Sequence, residues 1–198
     1  ILEDGSVVAW GDVNTGGDIS GVSGLTDVVA IYSTARAFAA LTSSGAVVTW
    51  GNGLFGGDSS AETGNLAGGN LSSGVAQVYS SGSHFVALKT DGSLVTWGYD
   101  LGGLYSVPSN LTNVVSVSSN STSFAAILDS GAVVTWGVAF TGGDSSDVSD
   151  QLDGTDDVTE IIATDSAFAA IKADGTLVTW GSDGGDSSSV ASALSDHE

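Results

Sequence analysis

The residues best placed to do chemistry in this sequence are carboxylates that follow paired glycines. Gly-Gly-Asp occurs four times, as Gly16-Gly17-Asp18, Gly56-Gly57-Asp58, Gly142-Gly143-Asp144 and Gly184-Gly185-Asp186. Ca²⁺ takes about six to eight oxygen ligands, which Asp, Ser and backbone carbonyls can supply. Asp18, Asp58, Asp144 and Asp186 are therefore candidate calcium ligands, and Ca²⁺ is the only cofactor the residue types suggest. The densest acidic run, Asp144, Asp147, Asp150, Asp153, Asp156 and Asp157, begins at one of these sites. The same residues have a structural reading that we favour: an Asp after two glycines closes a tight turn by accepting a nearby backbone N–H. The acidic run is then a solvated loop.

Other chemistries find little support. The two histidines are His84 and His197. His84 reads as a core or loop-bracing residue rather than a proton-transfer group. No serine lies in a Gly-x-Ser-x-Gly elbow. The glycine pairs are followed by carboxylates and not by the lysine a phosphate loop needs. No catalytic constellation emerges, and an enzyme is not expected. Tryptophans can act as stacking platforms for sugars, but here all five sit at one fixed place in a repeated strand, which points to packing. Asn70-Leu71-Ser72, Asn110-Leu111-Thr112 and Asn120-Ser121-Thr122 are N-glycosylation sequons, relevant only to a secreted protein.

Charge narrows the partners. Three cations (Arg36, Lys89 and Lys172) face 23 carboxylates, for a net charge of −20. Such a surface repels nucleic acid, which is bound through Lys and Arg neutralising phosphates. It also disfavours anionic membranes, and no apolar run approaches the length needed to span one. The expected partner is a protein or further copies of this chain. High salt or divalent ions would screen the self-repulsion. With no cysteine there are no disulfides, which leaves the redox compartment open.

The elements that carry these residues are repeats. A heptapeptide ending in Trp-Gly occurs at Gly5–Gly11, Gly45–Gly51, Gly92–Gly98, Gly131–Gly137 and Gly175–Gly181, and it holds Trp10, Trp50, Trp97, Trp136 and Trp180. Four copies are preceded by a segment from Val28, Val75, Val114 or Val158. Its phenylalanine (Phe38, Phe85, Phe124 or Phe168) always falls ten positions on, and the tryptophan falls 22 positions on. The Trp-to-next-Val distances vary instead: 18, 25, 17 and 22. Fixed blocks joined by elastic connectors suit a β framework with surface loops. Val-Val-Thr-Trp bounded by glycine reads as a strand, and Phe-Ala-Ala-Leu pairs with it through a hairpin turn such as Lys89-Thr90-Asp91-Gly92. Continuous apolar runs predict strands covered on both faces. The alanines (Ala39, Ala40, Ala125, Ala126, Ala169 and Ala170) permit close sheet approach, with the tryptophans and phenylalanines as structural residues between sheets.

The block from Val75 to Gly98, with Gly82-Ser83-His84, Ala87-Leu88, Asp91-Gly92 and Trp97-Gly98, resembles the repeat of the regulator of chromosome condensation family. The spacing is similar to a compact version of about 40 residues, seen in a propeller-type β-lactamase inhibitory protein, with Val107-Pro108 in the corresponding place. The resemblance implies an all-β, β-propeller fold of about seven blades. This sequence departs from the family: Gly-Gly-Asp replaces Gly-Gln after the tryptophan, and the repeat histidine survives only as His84. The loop residues behind nucleotide exchange or β-lactamase inhibition find no match, so neither activity carries over.

The sequence thus predicts one propeller-like repeat domain over 1–198, with a partial blade at 1–27 and repeats at 28–74, 75–113, 114–157 and 158–198. Ile1 falls at the end of a Phe-Ala-Ala-Leu-type strand, so a part of a larger propeller is expected, or another chain completing the open blade. The function expected is a non-enzymatic structural or adhesive segment of a larger extracellular or cell-surface assembly, with a cytoplasmic location left open. The alternative is a discrete propeller domain that binds one protein through its variable loops, 51–74, 98–113 and 137–157.

Overall fold

The structure is a computed structural model, and it describes residues 1–22, 24–59, 71–99 and 103–182. Over these described residues it is all-β apart from short 3₁₀ turns, with twelve strands in four three-stranded antiparallel sheets. Blade 1 holds β1 (Val28–Ser33), β2 (Ala37–Thr42) and β3 (Val47–Gly51), and blade 2 holds β4 (Val75–Ser80), β5 (His84–Lys89) and β6 (Leu94–Gly98). Blade 3 holds β7 (Val114–Ser119), β8 (Ser123–Leu128) and β9 (Val133–Gly137). Blade 4 holds β10 (Val158–Ala163), β11 (Ala167–Lys172) and β12 (Leu177–Gly181). The chain divides into two compact units, 1–111 with blades 1 and 2, and 112–198 with blades 3 and 4.

Every blade uses one register. The phenylalanine of the middle strand faces the tryptophan of the third: Phe38↔Trp50, Phe85↔Trp97, Phe124↔Trp136 and Phe168↔Trp180. The paired rings stack with centroids 5.1–5.4 Å apart. A bulge follows each opening valine, between Val28 and Ala30 and at the three equivalent places. It lets Val28, Val75, Val114 and Val158 turn inward while the next residue faces out. The middle strands of blades 2 and 3 are each buried over five consecutive residues.

Within each unit the aromatic pair of the second blade packs onto the small-residue strand of the first. Phe85 and Trp97 share a core with Ala37, Ala39, Leu41 and Val47. Phe168 and Trp180 do the same with Ala125, Ile127 and Leu152. Hydrogen bonds staple the blades at the hairpin turns, where Val75 N–H donates to Gly45 O at 2.9 Å and Val158 N–H to Gly131 O at 3.0 Å.

The glycine pair is the second half of this joint. Trp50, Trp97 and Trp180 donate their indole N–H to the carbonyls of Gly16, Gly56 and Gly142 at 3.1, 3.1 and 2.9 Å. Each acceptor is the first glycine of the connector preceding that blade. These glycines have φ of 93–95°, and a Cβ there would lie 2.6 Å from the ring of Phe38, Phe85 or Phe168. The second glycine is needed for a different reason: a Cβ on Gly17, Gly57 or Gly143 would sit 2.3–2.5 Å from the backbone of Gly11, Gly51 or Gly137. Trp136 is the exception, its buried indole nitrogen having no partner among the described residues.

One element differs from expectation. The heptapeptide Gly5–Gly11 forms no strand, and Trp10 is 83% exposed, unlike the four other tryptophans. Its hairpin turn is formed, with Leu2 N–H donating to Ser6 O at 2.8 Å. Among the described residues no strand pairs with it, and a single strand does not hold a ladder.

Gly142→Ala should therefore cost about 2–5 kcal/mol, the sum of a left-handed alanine and overpacking against a fully enclosed Phe168. Gly16→Ala should cost less, because Phe38 is half-buried and its ring can yield. Trp180→Phe should cost about 1 kcal/mol more than Trp136→Phe, since only the former breaks an indole hydrogen bond. Urea unfolding of the four variants checks both orderings.

Candidate functional site

The Gly-Gly-Asp carboxylates close turns. Asp18 accepts the backbone N–H of Ser20 at 2.8 Å, and Asp144 that of Ser146 at 2.9 Å. Those backbone bonds, followed by the serine hydroxyls, hold both carboxyls below the ordinary value of 3.8. Asp18, Asp58 and Asp144 are exposed and stand in three different connectors. Asp186 lies outside the described residues. Among the described residues no group of three or more His, Asp or Glu side chains is gathered closely enough to hold a metal ion.

A second set of aspartates shapes the hairpins. Asp4, Asp91 and Asp174 each accept both the backbone N–H and the hydroxyl of the residue two further on, Ser6, Ser93 and Thr176. The hydroxyl bond is the larger cause of their lowered pKa values. In the acidic run, Asp147 and Asp150 lie on the 3₁₀ turn Ser146–Gln151. Asp153 accepts Thr155 N–H at 2.8 Å, and Asp156 meets Lys172 at 3.5 Å. The run is a loop whose acids face solvent, anchored by the buried Leu152, whose carbonyl accepts the Val133 N–H at 2.9 Å, and by Lys172.

His84 is buried between two elements. Its Nδ1 lies 3.2 Å from Ser83 Oγ, and its ring stacks on Tyr105 at 4.1 Å. It thereby ties the connector after blade 2 to β5. Of the sequons, Asn120 is buried, and its amide donates to Thr141 O at 2.7 Å while its oxygen accepts the Ser123 N–H at 2.8 Å. Asn110 is exposed in a left-handed turn, and Asn70 lies outside the described residues.

What the connectors expose is apolar as well as acidic. After the Trp-Gly pairs ending at Gly11, Gly51 and Gly137 a short 3₁₀ turn lifts a side chain into solvent: Val13, Leu54 and Phe140 are 61%, 67% and 71% exposed. Two of the three turns carry a side-chain cap, and the turn at Phe140 is closed by Gly142 N–H donating to Ala139 O. Asp12 and Asn52 accept the N–H of Asn14 and Leu54, and the following glycine adopts the left-handed conformation. Sequence reading missed these tips, since one apolar residue in a loop carries no periodic signal. Phe140 overhangs a cleft of about 720 Å³ that Asp144, Asp147, Thr179 and Trp180 also line. In the matching turn of blade 1, the Arg36 guanidinium lies 5.1 Å from the centre of the Phe55 ring.

No protein-family model matches the chain, and no curated protein matches it. Solved structures do. Yeast RCC1 (Prp20), in a structure bound to Kap60, shares 18% identity at a TM-score of 0.55, covering 78% of this chain and 42% of that one. The ectodomain of the Physcomitrella patens receptor kinase CR4 shares 17% at 0.53, covering 78% and 39%. Human WBSCR16 shares 22% at 0.51, covering 85% and 49%. The chain spans between two fifths and half the length of these structures. At such identities the likeness is one of fold: an all-β fold of RCC1-like β-propeller blades.

The lowered pKa values carry a sign. These carboxyls contribute stability above the unfolded value near 3.8, and the contribution is lost as pH falls through their lower folded values. Carbon-detected titration should show Asp4, Asp18, Asp91, Asp144, Asp153 and Asp174 all titrating below 3.8. Asp144→Asn, which keeps the acceptor but not its charge, should melt closer to the parent than Asp144→Ala does. A melting temperature that rose with Ca²⁺ in the parent but not in either variant would make Asp144 a metal ligand instead.

Proposed function

We propose that the chain is a non-enzymatic protein-binding repeat module, used as a structural or adhesive segment of a larger extracellular or surface assembly. The observation that carries this reading is the division of labour along the chain. The 22-position blocks repeat one register and one aromatic stack, while the connectors between them differ in length and hold the exposed apolar tips Leu54 and Phe140. Sixteen of the 23 acids lie in those connectors or in the C-terminal tail. A partner meets a rigid frame with an acidic, apolar-tipped rim, the anatomy of a binding surface. A propeller of this fold bound to another protein, as in the Kap60 complex, supports the general mode. The receptor ectodomain supports the extracellular setting.

The near-identity of the blocks favours assembly with like copies over a single docking site for one foreign protein. A charge of −20 opposes that assembly at low ionic strength, and salt removes the opposition, since the screening length falls from about 10 Å at 0.1 M to about 3 Å at 1 M. Sedimentation velocity should therefore show monomer at 0.05 M NaCl and concentration-dependent association at 2 M. The association should be abolished in the double variant Leu54→Ser, Phe140→Ser. A chain that stays monomeric at every salt concentration would sink the assembly reading and leave the discrete single-partner module.

A further inference from the structure

The junctions between neighbouring blades open at their hairpin turns into two equivalent grooves, one in each unit. In the first unit Val29, Leu41, Gly45 and Val75 line a groove of about 480 Å³. In the second, Val115, Ile127, Gly131 and Val158 line one of about 330 Å³. Each contains the staple between a hairpin turn and the next opening valine, Val75 to Gly45 or Val158 to Gly131. The strand bulge gives each groove an apolar wall. Register shifts past Val28 and Val114 leave Val29 and Val115 outside the ladder, 59% and 55% exposed.

The two grooves differ in charge. The positions held by Ser43 and Gly74 in the first are Asp129 and Asp157 in the second. Asp129 sits at the hairpin turn of blade 3, and Asp157 directly precedes the opening valine of blade 4. The Asp157 carboxylate leans over that same turn, where it would collide with a Cβ on Gly131. Asp4, Asp18, Asp91, Asp144, Asp153 and Asp174 all accept hydrogen bonds from their own turns. Asp129 and Asp157 do not. Both are exposed, and among the described residues neither side chain makes a hydrogen bond or an ion pair. Lys172, opposite Val158 in the sheet, meets Asp156 instead.

We propose that the groove between blades 3 and 4 seats an arginine side chain from an extended, basic segment of another protein. The aliphatic stem lies on Val115, and the guanidinium meets the two carboxylates, one from each blade. A long cationic side chain covers apolar surface with its stem while its head stays polar, and a planar guanidinium suits carboxylates better than a compact ammonium does. The occupant is foreign, because all three cations of this chain are engaged within it. Against a net charge of −20 the complementary partner is basic. A divalent ion fits less well, since no third acidic or histidine side chain is gathered there among the described residues. This contact rests on the protein-binding reading but not on association with like copies.

Backbone amide NMR of the full chain tests it, with the blocked peptide acetyl-Gly-Ser-Arg-Ser-Gly-amide as probe. At 0.05 M NaCl and millimolar peptide, the amides of Val115, Asp129, Gly131 and Thr159 should shift. Those of Ser43, Gly45 and Ala76, in the uncharged groove, should stay. The double variant Asp129→Ser, Asp157→Gly copies the first groove and should bind about fivefold or more weakly. Asp147→Asn with Asp150→Asn removes the same charge elsewhere and should bind like the parent. Raising the salt should weaken peptide binding while it strengthens self-association, and Leu54→Ser, Phe140→Ser should bind peptide unchanged, so the two contacts fail independently. Equal binding by a citrulline peptide, or undiminished binding by Asp129→Ser, Asp157→Gly, would overturn the proposal. So would shifts spread evenly over the acidic surface, or groove amides that answer to CaCl₂ and not to peptide, or to neither.

Discussion

A tryptophan indole buried between sheets has one N–H to satisfy, and most of this architecture follows from where that donor finds its acceptor. In blades 1, 2 and 4 it is a glycine carbonyl in the connector preceding the blade. For that carbonyl to reach the indole, the connector must come back flat against the Phe–Trp stack. A side chain at the acceptor residue would collide with the phenylalanine ring, and one at the next residue would collide with the turn at the end of the previous blade. Two glycines in succession are the solution. The left-handed φ of the first of them lets the chain turn away again at once. The aspartate that follows is then placed to accept the N–H that restarts the loop.

This joint separates what is fixed from what is free. Upstream of it lie the strands, whose spacing cannot change without breaking the register of phenylalanine to tryptophan. Between the joint and the next opening valine the chain can lengthen, because nothing there pairs in the ladder, and long loops cost little extra closure entropy. The acids and the exposed apolar tips both collect in these segments. Leu54 is held by a 3₁₀ turn that Asn52 caps and Phe140 by one closed through Gly142 N–H to Ala139 O, so a partner would meet them without ordering them first, which lowers the cost of binding.

The three cations are already engaged inside the molecule. Arg36 lies over Phe55, Lys172 meets Asp156, and the Lys89 ammonium donates to the Ser73 carbonyl. The acidic surface therefore has no internal counter-charge in reserve. Its self-repulsion must be relieved by salt or by a partner, which makes ionic strength the natural variable for any association of this chain.

The sequence by itself determined the strands, their hairpin turns and the equivalence of the blocks. The residues that specify those features are local and repeat at constant spacing: β-branched runs, Asp-Gly turns, and a tryptophan always 22 positions after its valine. It also favoured the Gly-Gly-Asp carboxylates as turn-formers over ligands, since an Asx turn is written within three residues. Only the tertiary structure decided what the glycine pairs are for, because their constraint comes from an aromatic stack 34 to 41 residues away in sequence. It likewise decided that Asn120 is held inside while Phe140 stands outside, which no local pattern distinguishes. And it separated Trp10 from four tryptophans in nearly the same heptapeptide: a strand's fate depends on the strand beside it, and that neighbour is not part of the heptapeptide.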